Sequence, residues 1–225
     1  MKKQIGLLKL ILLLPVFFSN FNYKTHRYPE FKDVLTEINT TSDSVRIPRT
    51  KDGSYLQIYH CVKDWSRQLK LKTPDTGMKS FQLRIWIDIP GLSLRQRLFV
   101  LEYDSTSDDF SAELFRFEES RANARDMFSN VINVKKEAKI PKSGWPTFTK
   151  KLFAGDFLLV FDENNGYKDQ AYMDSDSYCF EIITTRNYWF SNFGALHEEG
   201  SNRKVVGIVK GVFVLIENEF DFNRL

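Results

Sequence analysis

From Phe81 to Ile89 the apolar residues Phe81, Leu83, Ile85, Ile87 and Ile89 recur at every second position, on one face of a predicted strand. Pro90-Gly91 ends it. Arg97 to Tyr103 and Ser111 to Phe117 follow as strands, separated by the turn Asp104-Ser105-Thr106-Ser107-Asp108-Asp109. Phe128 to Val134 reads as a fourth strand, with Lys135 to Pro141 running out of the sheet. Consecutive strands joined by short turns, with no crossover helix between them, predict an antiparallel meander. Upstream, Tyr55 to Cys61 also shows period two and reads as a strand, while Lys63 to Leu71 fits neither period.

Helical spacing marks other segments. Phe31, Val34, Leu35 and Ile38 fall at i, i+3, i+4 and i+7 and predict a short amphipathic helix over Glu30 to Ile38. Ser143-Gly144-Trp145-Pro146 reads as a helix start, since proline is tolerated in a first turn, and Gly155-Asp156 as its end. Phe157 to Phe161 is short and apolar, and a polar loop follows from Asp162 to Asp176. Tyr178 to Thr184 and Asn187 to Phe193 read as a hairpin. Lys204 to Phe220 is long enough to be a helix despite its β-branched content, with Gly207 and Gly211 allowing close packing on the sheet. Lys204, Lys210 and Glu217 interrupt its apolar run, which argues against a membrane dimer motif of G-x-x-x-G type. The expected fold class is α+β, an antiparallel meander sheet with a few covering helices. Residues 21–54 form a lead-in with a short helix, and 55–225 a single domain.

Residues 1–20 have the layout of a secretory signal peptide: Lys2 and Lys3, an apolar stretch from Ile5 to Phe18 broken by Lys9, then Ser19-Asn20. That stretch is shorter than the roughly 20 residues of a membrane helix. Phe17 is a poor −3 residue for a cut after Ser19, so an uncleaved anchor is the competing reading. The expected location is secreted or periplasmic, with no stable transmembrane span. The whole chain carries 32 Lys+Arg against 29 Asp+Glu, and removal of the leader with its three lysines leaves the two signs equal. Balanced charge predicts no nucleic-acid partner, because binding to phosphates needs a surplus of cations.

With Cys61 and Cys179 the only cysteines in an exported chain, a disulfide between them is the candidate pairing, against two separate buried thiols. The 20 Phe, 9 Tyr and 4 Trp imply either an aromatic core or an aromatic-lined cavity for an apolar ligand.

Catalytic signatures fail one by one. His60 adjoins Cys61, and on a strand such neighbours point to opposite faces. His197-Glu198-Glu199 lacks the second histidine of a zinc-protease helix, and Gly91-Leu92-Ser93-Leu94-Arg95 lacks the second glycine of a nucleophile elbow. The acidic loop from Asp162 has Gly166 at position 5 and Met173 at position 12, which does not fit a calcium loop and reads as a solvated turn. No catalytic, cofactor-binding or metal-binding residue is nominated, and no cofactor is required.

Ile89-Pro90-Gly91-Leu92-Ser93-Leu94-Arg95 through Glu102, Ala112-Glu113-Leu114-Phe115-Arg116-Phe117, Pro141-Lys142-Ser143-Gly144-Trp145 and the Tyr178 to Tyr188 hairpin resemble uncharacterised exported proteins of Bacteroidota-type bacteria. The resemblance covers about the central half of the chain by the extent of these segments. It implies export and an α+β fold, and supplies no site residues. The function expected is a non-catalytic binding or cell-envelope protein with an apolar ligand or protein partner. The alternative is an exported hydrolase whose site is assembled from dispersed acids.

Overall fold

The computed structural model describes residues 27–42, 44–49, 53, 55–87, 95–120, 130–162, 178–193 and 203–221. The leader, the loop from 163 to 177, the Gly91–Leu94 segment and His197 to Glu199 lie outside them.

Within the described residues the fold is α+β. Seven strands form one sheet in the order β1 (Val45–Arg46), β7 (Tyr188–Phe193), β6 (Tyr178–Thr184), β2 (Phe81–Ile87), β3 (Arg95–Asp104), β4 (Asp109–Ser120) and β5 (Asn130–Lys139). Every pairing is antiparallel except that of β1 with β7. The meander expected from sequence is β2 to β5. The chain then returns through α3 (Trp145–Leu152) and a 3-10 turn (Phe157–Phe161) to place β6 on the other side of β2. Where the sequence lets the chain leave the sheet after Val134, β5 stays paired through Ala112 opposite Lys139. A bulge between Arg116 and Glu118 absorbs the change of register, so the strand bends and continues.

The larger core lies on one face. Phe81, Leu83, Ile85, Phe99, Leu101, Phe180, Ile182 and Trp189 point into it, beneath α1 (Pro29–Thr40), α3 and α4 (Arg203–Phe220). Helix α1, which the sequence places ahead of the domain, is part of this core. Phe31 is fully buried, its ring 5.0 Å from Phe81, 4.8 Å from Tyr103 and 4.8 Å from Phe110. Arg27 pairs with Asp109 at 2.6 Å, and Lys32 pairs with Asp108 at 3.1 Å, so α1 also grips the β3–β4 turn.

The opposite face is covered by α2 (Gln57–Gln68), and here the sequence reading is corrected. Tyr55 to Cys61 is not a strand: Gln57 to Cys61 open a helix, which continues through the segment that fitted neither period. Ile58, Val62, Trp65 and Leu69 recur at helical spacing and pack against Trp86, Leu98, Phe115, Phe117 and Phe190. The aromatic, β-branched composition around Tyr55 imitates a strand, and the tertiary contacts of the longer stripe override it. Adjacent helical residues point about 100° apart. Accordingly His60 is exposed and Cys61 is half-buried against the sheet.

Helix α4 forms as expected, but its glycines do not touch the sheet. Gly207 and Gly211 are exposed, with nothing within 4 Å of where a Cβ would stand. Replacing both with alanine is expected to raise the unfolding free energy by about 1–2 kcal/mol, because glycine costs about 0.5–1 kcal/mol relative to alanine in a helix. Chemical denaturation of the double variant checks this; no gain would mean that the glycines are needed for packing.

Glu219 latches the end of α4 to the start of α3. Its Oε2 accepts from the Ser143 N–H at 2.8 Å and its Oε1 from Lys151 Nζ at 3.3 Å. Burial pushes this carboxyl up, but the Ser143 and Lys151 hydrogen bonds outweigh it and hold the pKa below the usual 4.5. A depressed folded value stabilises the protein above the unfolded pKa, and that stability is lost as pH falls through the folded one. Glu219→Gln is therefore expected to flatten part of the acid limb in a thermal-unfolding series from pH 6 to 3. An unchanged acid limb would contradict the latch.

Candidate functional site

Two polar assemblies stand out, one enclosed and one open. The enclosed one lies between the sheet and α2. Gln82, Arg84 and Trp86 alternate with the positions of β2 that face the larger core. Every residue of β2 is buried, because α2 covers this second face. Arg84 and Glu181 are 2% and 0% exposed at their side chains and lie 3.8 Å apart. Trp86 Nε1 donates to Glu181 Oε2 at 2.7 Å, and Tyr188 Oη donates to its Oε1 at 2.5 Å. Arg84 Nε donates to Gln82 Oε1 at 2.7 Å, and Gln82 Nε2 passes the chain on to Glu102 Oε2 at 2.7 Å. Lys72 closes it through Glu102 Oε1 at 3.2 Å. Burial, and then the adjacent Glu181 charge, push the Tyr188 phenol well above its usual range. The Arg84–Glu181 centre of this network is closed to water, while its Lys72 end reaches the surface, so the centre acts as a polar core that fixes how α2 and the strands meet, as buried ion pairs do in some proteins.

The cysteines belong to the same layer. Cys179 is fully buried on β6 with its Sγ 3.3 Å from Asn192 Oδ1, and Cys61 packs against that cluster from α2. The candidate disulfide is corrected: the two are unbridged thiols. Burial raises the Cys179 thiol well above its ordinary pKa, which keeps it protonated and unreactive. Labelling the denatured protein is expected to find two sulfhydryls per chain, and in the native protein Cys61 should react well before Cys179. A protein that labels at neither position after denaturation would contradict this.

The open assembly is a groove of about 480 Å³ where the end of α1, strand β1, the 3-10 turn and β7 meet. Four separate segments supply its walls: Glu37 and Thr41, then Arg46, then Asp156 to Asp162, then Trp189. Each is set by the fold. Asn187 Nδ2 donates to the Ile38 carbonyl at 2.8 Å, anchoring the last turn of α1 to the β6–β7 hairpin. Tyr188 N–H donates to the Ser44 carbonyl at 2.8 Å, which starts the parallel pairing of β1 and brings Arg46 opposite Trp189. There the Arg46 guanidinium lies 4.1 Å above the indole ring, and its Nη2 donates to Thr41 Oγ1 at 2.9 Å. Ser191 Oγ donates to the Val160 carbonyl at 2.6 Å and holds the 3-10 turn against β7.

Electrostatically the groove favours cations. Glu37, Asp156 and Asp162 contribute carboxylates. The C-terminal end of α1 adds the partial negative charge of its carbonyls, and its last turn holds no basic residue. Arg46 and Lys204, which pairs with Asp156, are the opposing cations. Of the groove residues only Asp162 was weighed for chemistry from sequence, as the first position of the acidic loop, and then read as part of a solvated turn. Their charges are ordinary, and only the convergence of distant segments gives them meaning. The fully apolar cavity that the aromatic content left open is not where those rings go: Phe31, Phe81, Phe99, Phe148, Phe153 and Phe220 pack edge to face or tilted on one another and on their neighbours.

Among the described residues, no group of three or more His, Cys, Asp or Glu side chains could hold a metal ion, and no helix is long and apolar enough to cross a membrane. Comparison of the chain with protein-family models, curated proteins and solved structures finds no match.

Proposed function

We propose that the chain is an exported, non-catalytic binding protein whose ligand seats in the groove between α1, the 3-10 turn and β7. The observation that carries this reading is the groove itself, an open concavity lined by Glu37, Asp156 and Asp162 against Arg46 and Lys204. Export rests on the layout of residues 1–20. The ligand is a polar molecule with at least one amine or guanidinium group, which the carboxylates and the helix end attract. Aromatic content alone suggests an apolar ligand, whereas the lining of this groove suits a polar one. A nucleic-acid partner stays outside the proposal, since the chain without its leader has balanced charge.

The alternative, a hydrolase built from dispersed acids, has one feature in its favour, the three carboxylates around the groove. Asp156 is engaged with Lys204, which occupies one of the three.

Export is tested by expressing the tagged chain in a Gram-negative host, where it is expected in the periplasm with its N-terminus near Phe21. Full-length protein in the cytosol would overturn it. Binding is tested by calorimetric titration with agmatine, which carries an ammonium and a guanidinium. Saturable binding that weakens at least fivefold in Glu37→Gln supports the groove. Equal affinity in both proteins would place the ligand elsewhere.

A further inference from the structure

The register of β1 places a chain-supplied cation inside the groove. The strand is two residues long and pairs in parallel with β7, Val45 beside Tyr188 and Arg46 beside Trp189. Successive strand residues point to opposite faces, so Arg46 and Trp189 share the face turned toward α1. Trp189 belongs to the larger core and is only 1% exposed. The Arg46 guanidinium lies over its ring, 4.1 Å from the centroid, and reaches Thr41 Oγ1 at the end of α1 with a 2.9 Å hydrogen bond. The groove therefore already holds one guanidinium, between an indole face and a hydroxyl acceptor, and takes it from its own sequence.

That arrangement is specific to the guanidinium. The group is planar and weakly hydrated, stacks on aromatic faces, and keeps forked donors free for acceptors in its plane, whereas an ammonium is a compact, strongly hydrated point charge. Tryptophan offers the most favourable ring for a stacked cation. The groove's other cation, Lys204, is used differently and pairs with the Asp156 carboxylate. Arg46 also comes from the edge of the sheet, since β1 has a neighbour on one side only. Its long side chain turns about several single bonds, so the guanidinium can leave the ring while the backbone pairing of β1 with β7 stays in place.

We infer that Arg46 is a tethered competitor: it fills the place over Trp189 that the guanidinium of the ligand takes, and the ligand binds by displacing it. The inference rests on the groove being the ligand site and narrows the ligand to a guanidinium compound. A tethered occupant lowers the apparent affinity of a free ligand according to the fraction of molecules in which the place is vacant. It also selects against ammonium compounds, which do not reproduce both the stack and the in-plane hydrogen bonds that Arg46 gives up.

The probes are agmatine, with one guanidinium and one ammonium, and putrescine, with two ammonium groups. Each is titrated calorimetrically into the full chain as wild type, Arg46→Ala, Arg46→Lys and Glu37→Gln at constant ionic strength. Arg46→Ala is expected to bind agmatine about fivefold or more tighter than wild type, with a distinctly smaller gain for putrescine. Arg46→Lys keeps the charge but loses the planar stack, so a gain for agmatine there separates displacement from relief of repulsion, and it serves as well if the alanine variant does not fold. Guanidinium chloride at low millimolar concentration should raise the unfolding temperature of Arg46→Ala above that in equal sodium chloride, by refilling the vacated place, and leave wild type unchanged. Binding seen in Arg46→Ala but absent in wild type would also support the inference. Equal agmatine affinity in wild type and both Arg46 variants, with the loss in Glu37→Gln still present, would overturn the tethered arginine and keep the groove as the ligand site. Weaker agmatine binding in Arg46→Ala would overturn it too, by making Arg46 a ligand contact. Equal gains for putrescine and agmatine would reduce the effect to charge removal and overturn it as well. Binding of neither compound to any of the four proteins would overturn both the inference and the proposed function.

Discussion

Arg84→Met is expected to lower the unfolding free energy by about 3–5 kcal/mol, the range for removing one partner of a buried ion pair. The substitution keeps most of the side-chain volume but strips Glu181 of its countercharge at a site with no exposure. Trp86 and Tyr188 still donate to the carboxylate, so the cost comes from the uncompensated charge and from the donors withdrawn from Gln82 Oε1 and the Lys72 carbonyl. Neutralising the other partner at the same time separates these effects. Arg84→Met with Glu181→Gln should recover a substantial part of the loss, and the double-mutant cycle should report a coupling of 1 kcal/mol or more by order of magnitude. Denaturant unfolding measures all three variants. A loss below about 1 kcal/mol for Arg84→Met would contradict a buried pair under α2.

Phe31→Ala is the second large effect, expected at about 3–5 kcal/mol from the range for buried phenylalanine truncations. Its ring touches Phe81, Tyr103, Phe110 and Phe153, so its loss opens a cavity between α1, the sheet and α3. Those partners are themselves clamped by other rings and cannot collapse into the space. The measurement also decides whether α1 belongs to the folding unit. If α1 were a lead-in to a domain beginning at residue 55, the same variant would unfold within about 1 kcal/mol of wild type.

The sheet was legible where local pattern and tertiary environment agree. The alternation of β2, the turn between Asp104 and Asp109 and the pairing of β6 with β7 all follow from period two and turn chemistry. Tyr55 to Cys61 went the other way because a seven-residue stretch holding Tyr55, Ile58 and Tyr59 looks alike in either state. The deciding contacts of Trp65 and Leu69 lie further along the chain. The second face of β2 was not legible for a related reason. Gln82 and Arg84 carry no local signal of what covers them, and the cover comes from Ser66 and Trp65 of α2. The groove was invisible in principle. Glu37, Arg46, Asp156 and Trp189 converge only through the β1–β7 pairing.

The groove is tested most directly by following the backbone amides and the Trp189 indole N–H in nitrogen-15 correlation spectra during an agmatine titration. The account expects saturable shifts at Glu37, Thr41, Arg46 and Trp189, with strand β5 at the far edge of the sheet unmoved. Shifts absent from these four residues, or centred on another surface, would contradict the groove as the ligand site.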